Sequence, residues 1–242
     1  MATNHTCSTF VSGGLIFNVL QTKASNIRLI NLGTPKKIRD TSFYGMNASY
    51  FDTVTAPSGF NKILNIVYQD GVCIGFGIDS EDGEKNTVGK SVMTWDGSSL
   101  KYHDNVLFGS SSNVPKTSNS WAQGGVGLFL CDTQWENLYK GQLVGNQESD
   151  LGGISCRAGI MINTNTKNVY LINTTSPLAT VAMLRKAMMN HAGLTEGGSA
   201  GYWRGMMVDG GLSVQLCGDG MNAYVVGAGR GIPQMIGLKD KS

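Results

Sequence analysis

The residues best suited to chemistry fall in Met206-Met207-Val208-Asp209-Gly210-Gly211-Leu212-Ser213-Val214-Gln215. A short apolar run ends on one carboxylate, two glycines and a hydroxyl, and apolar residues then resume. Met206 to Val208 reads as a buried strand end. Gly210 and Gly211 lack a Cβ, so they can take positive φ and let a ligand approach main-chain N–H donors. Asp209 is then a carboxylate held at a strand terminus against a substrate. The same residues also read as an Asp-Gly turn between two hairpin strands.

Three further stretches carry polar groups between packed neighbours. In Phe43-Tyr44-Gly45-Met46-Asn47-Ala48-Ser49-Tyr50-Phe51-Asp52, Asn47 and Ser49 sit among large apolar anchors. They read either as side chains fixed at a site or as a strand followed by an Asx turn. In Ser155-Cys156-Arg157-Ala158-Gly159-Ile160-Met161-Ile162-Asn163, Arg157 opens an apolar strand. It either snorkels to water or presents a planar fork to a phosphate or carboxylate. Gly227-Ala228-Gly229-Arg230-Gly231-Ile232-Pro233 hints at a dinucleotide loop, but Ile and Pro follow and too few residues remain for a βαβ unit.

The elements that position these groups are mostly strands. Phe10 to Leu20 and Ile27 to Leu32 alternate as strands, with a turn at Thr34-Pro35-Lys36-Lys37. Ile63 to Tyr68 and Val72 to Ile78 flank Gln69-Asp70-Gly71 as a hairpin. The acidic run Asp79 to Glu84 lacks the glycine of a calcium loop and reads as a solvated turn. Residues 86–120, rich in Ser, Asn, Gly and Thr, read as loops with short strands, and Gly124 to Cys131 as an apolar strand. Residues 134–152 read as a polar loop over the site, with Glu148 and Asp150 as solvated charges. Ser176 as N-cap and Pro177 at the first position start a helix whose apolar stripe runs to Ala192, broken by Arg185, and Gly193 closes it. The expectation is an α+β fold: a mixed, largely antiparallel sheet core, one main helix over about 177–192 and long loops, in one domain over residues 1–242.

Composition narrows the function classes. The chain has 242 residues, 41% hydrophobic, which is enough for a sizeable core. Thirty-three glycines against five prolines favour turn-rich β structure. A net charge of +2 with scattered Lys and Arg argues against a nucleic-acid surface. No apolar run approaches a membrane span. Five cysteines without C-x-x-C spacing read as reduced thiols. The first twenty residues lack a signal-peptide pattern, so a cytoplasmic protein or a phage-particle protein is expected. The sequon at Asn47 would place a glycan inside the site, which points to a bacterial or phage source.

Asn47-Ala48-Ser49-Tyr50-Phe51, Arg157-Ala158-Gly159-Ile160, Asp209-Gly210-Gly211-Leu212-Ser213 and Arg230-Gly231-Ile232-Pro233, in this order and with a helix before the third, resemble the phosphodiester glycosidase family over roughly residues 10–240. That family shows an Asn-Gly-Gly-Phe-Phe-like motif, an Arg-initiated strand and an Asp-Gly-Gly-Gly-Ser-like motif. Here Ala48 and Ser49 replace glycines, and Leu212 replaces the third glycine of the last motif, narrowing the space for substrate. Members are usually exported, which this sequence does not signal. The resemblance implies hydrolysis of a sugar from a phosphodiester at the anomeric carbon. It makes Asp209, Arg157 and Asn47 the candidate catalytic residues: Asp209 as base or oxocarbenium stabiliser, Arg157 on phosphate charge, Asn47 orienting substrate. Ser49, Gly210, Gly211, Ser213 and Arg230 are candidate substrate-binding residues. No cofactor is called for, although a divalent ion could bridge Asp209 and a phosphate. The expected partner is a small or polymeric sugar phosphodiester, with no nucleic acid and no membrane. Two other classes stay open: a non-catalytic glycan- or nucleotide-binding module, and a structural phage component using the same fold.

Overall fold

The structure is a computed structural model that describes residues 4–52, 62–75, 88–107, 113–143, 151–174, 176–225 and 229–240. The acidic run Asp79 to Glu84 and the loop charges Glu148 and Asp150 lie outside the described residues.

Strands β1 (His5–Ser12) and β2 (Leu15–Lys23) form a hairpin, because Gly13 and Gly14 take φ of 58° and 77° and reverse the chain in two residues. The stretch Phe10 to Leu20 is therefore two strands rather than one. β3 (Ile27–Lys36) runs through Thr34-Pro35, where the sequence suggested a turn. It is an edge strand, where proline's missing N–H is tolerated. Short strands β4 (Gly45–Asn47), β5 (Phe51–Asp52) and β6 (Lys62–Ile63) follow. β7 (Val67–Gln69) and β8 (Val72–Cys73) pair around the left-handed Asp70-Gly71, as the sequence indicated.

The Ser- and Asn-rich region yields a regular hairpin, β9 (Lys90–Trp95) and β10 (Leu100–Val106). Its turn is built by Asp96, whose Oδ1 accepts from the main-chain N–H groups of Ser98 and Ser99 at 2.9 and 2.7 Å. β11 (Trp121–Gly127) is buried along its whole length, and α1 (Trp135–Lys140) stands where only loop was expected. β12 (Ala158–Asn163) and β13 (Asn168–Thr174) pair as a hairpin. α2 (Val181–Ala192) starts later than Ser176 and Pro177 suggested. Ala179 is pinned to Ser155 in an extended bridge, so Thr180 caps instead, its Oγ1 accepting from Met183 N at 3.2 Å. Gly193 ends the helix at φ 68°. β14 (Trp203–Met207), β15 (Gln215–Gly218), β16 (Met221–Val225) and β17 (Ile232–Leu238) complete the chain.

These strands make two main sheets. A ten-stranded sheet runs β1-β2-β13-β12-β14-β11-β7-β8, with β9 on β11 and β10 on β9; a five-stranded sheet runs β16-β15-β4-β17-β3. One cluster takes Leu20, Ile160, Leu171 and Met206 from the first sheet and Leu29, Met46, Leu216 and Ile236 from the second, so the sheets pack face to face. The opposite face of the large sheet, through Phe17, Val19, Met161, Ile172 and Met207, packs on Leu184 and Met188 of α2 and Tyr139 of α1. Adjacent Met206 and Met207 thus serve opposite faces, as strand geometry requires. Each fully buried side chain of this size contributes roughly 1.5–3 kcal/mol.

The α+β expectation is overturned. Strand accounts for 46% and helix for 14%, and every strand pair among the described residues is antiparallel rather than mixed. The fold is β-rich. Its extra strands are polar, short or glycine-rich and carry little hydrophobic alternation. In β11 the glycines are needed for space: a Cβ at Gly125 would lie 2.6 Å from Met207 O and 3.0 Å from Met206 Sδ.

Candidate active site

Asp209 stands where the chain leaves one sheet for the other. β14 belongs to the large sheet and β15 to the small one, so Asp209-Gly210 is a crossing between sheets and not a hairpin turn. Val208 N donates to Ala158 O at 3.1 Å, and Asp209 N donates to Ala48 O at 2.8 Å, fastening the crossing to both sides. A 3-10 turn, Gly211–Ser213, leads into β15. Only Gly211 needs left-handed backbone, at φ 59°; Gly210 is extended.

The Asp209 residue is 5% exposed. Burial pushes its carboxyl up to about 6, against the lowering effects of a Ser213 hydrogen bond, the Arg230 charge and the Gly210 N–H. Arg230 Nη2 lies 3.3 Å from Asp209 Oδ2, and Arg230 Nε donates to Ser213 Oγ at 2.7 Å. The guanidinium sits 4.4 Å over the Phe51 ring. Its main chain is fixed too: Arg230 N donates to Leu212 O, and Gln215 Nε2 donates to Arg230 O at 3.0 Å. With 40% of its side chain exposed, Arg230 is the cation that faces solvent here.

Asn47, at the end of β4, is fully buried, and both ends of its amide are engaged. Nδ2 donates to Asp209 O at 2.7 Å, and Oδ1 accepts from Gln215 N at 3.0 Å. It orients the Asp209 main chain rather than a substrate hydroxyl. Ser49 is likewise internal: its N–H donates to Gln234 Oε1 and its Oγ accepts from Gln123 Nε2, both at 2.9 Å. Gln234 Nε2 donates to Gln123 Oε1 at 3.0 Å, closing a buried amide chain behind the site.

Arg157 is 1% exposed, so it neither snorkels nor opens to solvent. Its Nε donates to Ala179 O at 3.2 Å and its Nη2 to Gly153 O, tying the segment before α2 to the loop before β12. It remains close to the site, since a Cβ on Gly210 would lie 3.9 Å from Arg157 Nη1. The glycine amides, expected as ligand donors, are spent internally: Gly211 N donates to Cys156 O at 2.9 Å, and Gly210 N supports the Asp209 carboxylate. Ser213 is fully buried beneath Arg230.

The structure thus brings Asn47, Asp209, Gly210, Ser213 and Arg230 together, with Arg157 behind Gly210 and Ser49 one layer further in. Glu196 is elsewhere, held by Arg185 of α2 at 2.6 and 2.8 Å, which lowers its carboxyl. His103 bonds Thr94 on the β9–β10 hairpin and His191 packs between Phe10 and Tyr170, so neither is at the site. Sequence reasoning missed Gln215 and the role of Phe51. Gln215 Oε1 also accepts from Ile38 N at 2.8 Å, linking four segments. Its one sequence signal is a polar residue at a position due for burial. Among the described residues, no group of three or more His, Cys, Asp or Glu side chains is placed to hold a metal.

No protein-family model matches the sequence, and no curated protein matches it. Solved structures do match. The catalytic domain of zebrafish N-acetylglucosamine-1-phosphodiester alpha-N-acetylglucosaminidase, auto-inhibited by its pro-peptide, superposes with a TM-score of 0.63 at 12% identity, over 97% of this chain and 82% of that one. A Burkholderia pseudomallei protein described as exported gives 0.57 at 11% identity, over 93% and 74%. A hypothetical protein from Synechocystis gives 0.50 at 12%, over 97% and 61%. At these identities the likeness is one of fold alone.

Proposed function

We propose that this protein is a hydrolase that releases a sugar from a phosphodiester at the anomeric carbon. The observation that carries the reading is the pairing of a buried carboxyl titrating near 6, Asp209, with a half-exposed guanidinium 3.3 Å away, Arg230. The order of motifs and the shared fold support it. In the proposed reaction, water attacks the anomeric carbon and the bond to the phosphate oxygen breaks. The bonding electrons leave with the phosphate monoester, and ionised Asp209 takes the water proton. A phosphate monoester is a weak base, so its departure needs charge stabilisation more than protonation. Arg230 supplies that charge on a guanidinium held by Phe51 and Ser213. Asn47 holds the main chain that aims Asp209, and Arg157 packs behind Gly210. Leu212, 53% exposed where the related motif has glycine, forms an apolar lip that restricts the sugar.

The test is a screen of sugar-1-phosphodiesters and nucleotide-sugars for release of reducing sugar. Turnover that disappears in Asp209→Asn supports the proposal. Saturable binding without product makes the protein a binding module, and neither binding nor turnover removes the enzyme reading.

A further inference from the structure

A cavity of about 310 Å³ lies at the other end of β14 from Asp209. Arg204 lines it, five residues before Asp209, a separation of roughly 16 Å along a strand. Asp104 of β10, Asp132 after β11, and the rings of Tyr102 and Phe129 complete the part that could bind.

Each charged group is held in place by neutral neighbours. Asp104 Oδ1 accepts from the buried Ser91 Oγ at 3.0 Å, and Ser91 Oγ accepts from Tyr102 OH at 2.8 Å and Gln142 Nε2 at 3.0 Å. Asp132 Oδ1 accepts from Gln134 N at 2.8 Å. Arg204 Nη1 donates to Gly201 O and Trp203 O at 2.8 and 2.7 Å. Among the described residues, none of the three forms an ion pair with another side chain. Two carboxylates and a guanidinium therefore face one cavity, positioned but not neutralised.

The floor is built around Phe129. Its φ of 43° is left-handed, a conformation that non-glycine residues adopt at some expense. Arg185 holds it there, donating to Leu128 O, Phe129 O and Asp132 O. Gly127 makes room beneath: a Cβ there would strike Ser91 Oγ, Phe129 Cε2 and Tyr102 OH.

We propose that this cavity is a binding site for a small dibasic amino acid, of the lysine or arginine class. Its carboxylate would take the Arg204 fork, and its two cationic groups would take Asp104 and Asp132, one of them against the Phe129 ring. Such a ligand carries a net positive charge of one, which matches the lining. The volume accommodates a single amino acid and excludes a long peptide.

Isothermal titration calorimetry on the full chain tests this with L-lysine and L-arginine, beside putrescine, N-acetyl-lysine amide and glucose. Saturable binding of the two amino acids is expected, weakened about tenfold or more in Arg204→Gln, which loses a charged hydrogen-bond donor. Asp132→Asn keeps the Gln134 cap and should weaken binding similarly; circular dichroism checks that both variants fold. Shifts of the Phe129 and Arg204 amide NMR signals on titration place the ligand. Absence of saturable binding, equal binding of glucose or putrescine, or wild-type affinity in Arg204→Gln overturns the proposal.

Discussion

The side-chain amide of Asn47 donates to the main-chain carbonyl of Asp209 across 2.7 Å, while its oxygen accepts from Gln215 N. One buried residue of the small sheet thus fixes both sides of the turn that carries the carboxylate. In Asn47→Ala, the Asp209 carbonyl and the Gln215 N–H are left unpaired in the interior. The expected loss is about 2–6 kcal/mol of stability, at roughly 1–3 kcal/mol for each orphaned group. Chemical denaturation measures it, and a loss under about 0.5 kcal/mol would show that the turn holds itself.

Asp209 stands against stability at neutral pH. Its folded-state value, near 6, lies above the ordinary 3.8, so the native state binds the proton more tightly than the unfolded chain. Stability from this group is full below about 4 and is lost as pH rises through 6. Asp209→Asn removes the buried charge. The variant should be more stable than wild type above pH 6, by on the order of 3 kcal/mol, with the gain vanishing near pH 4. It should lose turnover, and wild-type kcat/KM should rise through about pH 6 as Asp209 ionises. Equal denaturation midpoints at pH 8 would refute the stability half.

The two arginines separate by burial. Arg157 holds Ala179 O and Gly153 O from inside the protein. Arg157→Lys leaves buried carbonyls short of donors and should destabilise by about 2 kcal/mol or more. Arg230 is half exposed, and its ion pair is solvent-screened. Arg230→Lys should cost under about 1 kcal/mol in stability but about a hundredfold in kcat, because an ammonium keeps the charge but cannot copy the planar guanidinium fork at the leaving group. Paired melting and kinetic measurements decide between these roles. A reversed pattern would move the phosphate contact to Arg157.

What could be read in the sequence was local. The Asp70-Gly71 hairpin, the β12–β13 pair and the Gly193 helix end all follow from residue types within a few positions. The helix start did not, because the Ser155–Ala179 bridge overrides the Ser176-Pro177 signal. The polar hairpin β9–β10 lacks alternation, and its turn depends on the Asp96 side chain. The motif residues Asp209, Asn47 and Arg230 lie together in the structure, but which group faces solvent is set by sheet packing. Gln215, Gln123 and Gln234 are uncharged residues whose partners lie far along the chain, so nothing nearby in sequence marks them.

The cysteines lie on different surfaces. Cys7 packs on Gly218 between the sheets, while Cys217, one residue earlier on β15, joins the outer cluster with Ile38 and Met235. Adjacent strand residues point to opposite faces, so Cys217 is directed away from the face on which Cys7 packs, and both are free thiols. Alkylation of the denatured, unreduced chain should show five thiols, and in the native protein the exposed Cys73 should react first. Burial pushes the Cys7 thiol up to about 11, and Cys131 and Cys156 are also raised by burial, which slows them. A consistent deficit of two thiols by mass would contradict this.

The leaving group offers the most direct test of the chemistry. The described site holds one carboxylate, Asp209, and one solvent-facing guanidinium, Arg230. The Glu196 carboxylate is bound to Arg185 and lies away from the site. A two-carboxylate glycosidase protonates its departing alkoxide with a second acid. Asp209 is mostly ionised at pH 7 with a value near 6, so it suits proton acceptance rather than donation. A phosphate can leave from such a site on electrostatic support alone. The expectation is measurable hydrolysis of a sugar phosphodiester, with the matching simple alkyl glycoside slower by at least a hundredfold. Arg230→Gln should lower the first rate strongly. Comparable turnover of both substrates, with Arg230→Gln silent on each, would mean that another acid protonates the leaving group, and Glu148 and Asp150 would be the next residues to substitute.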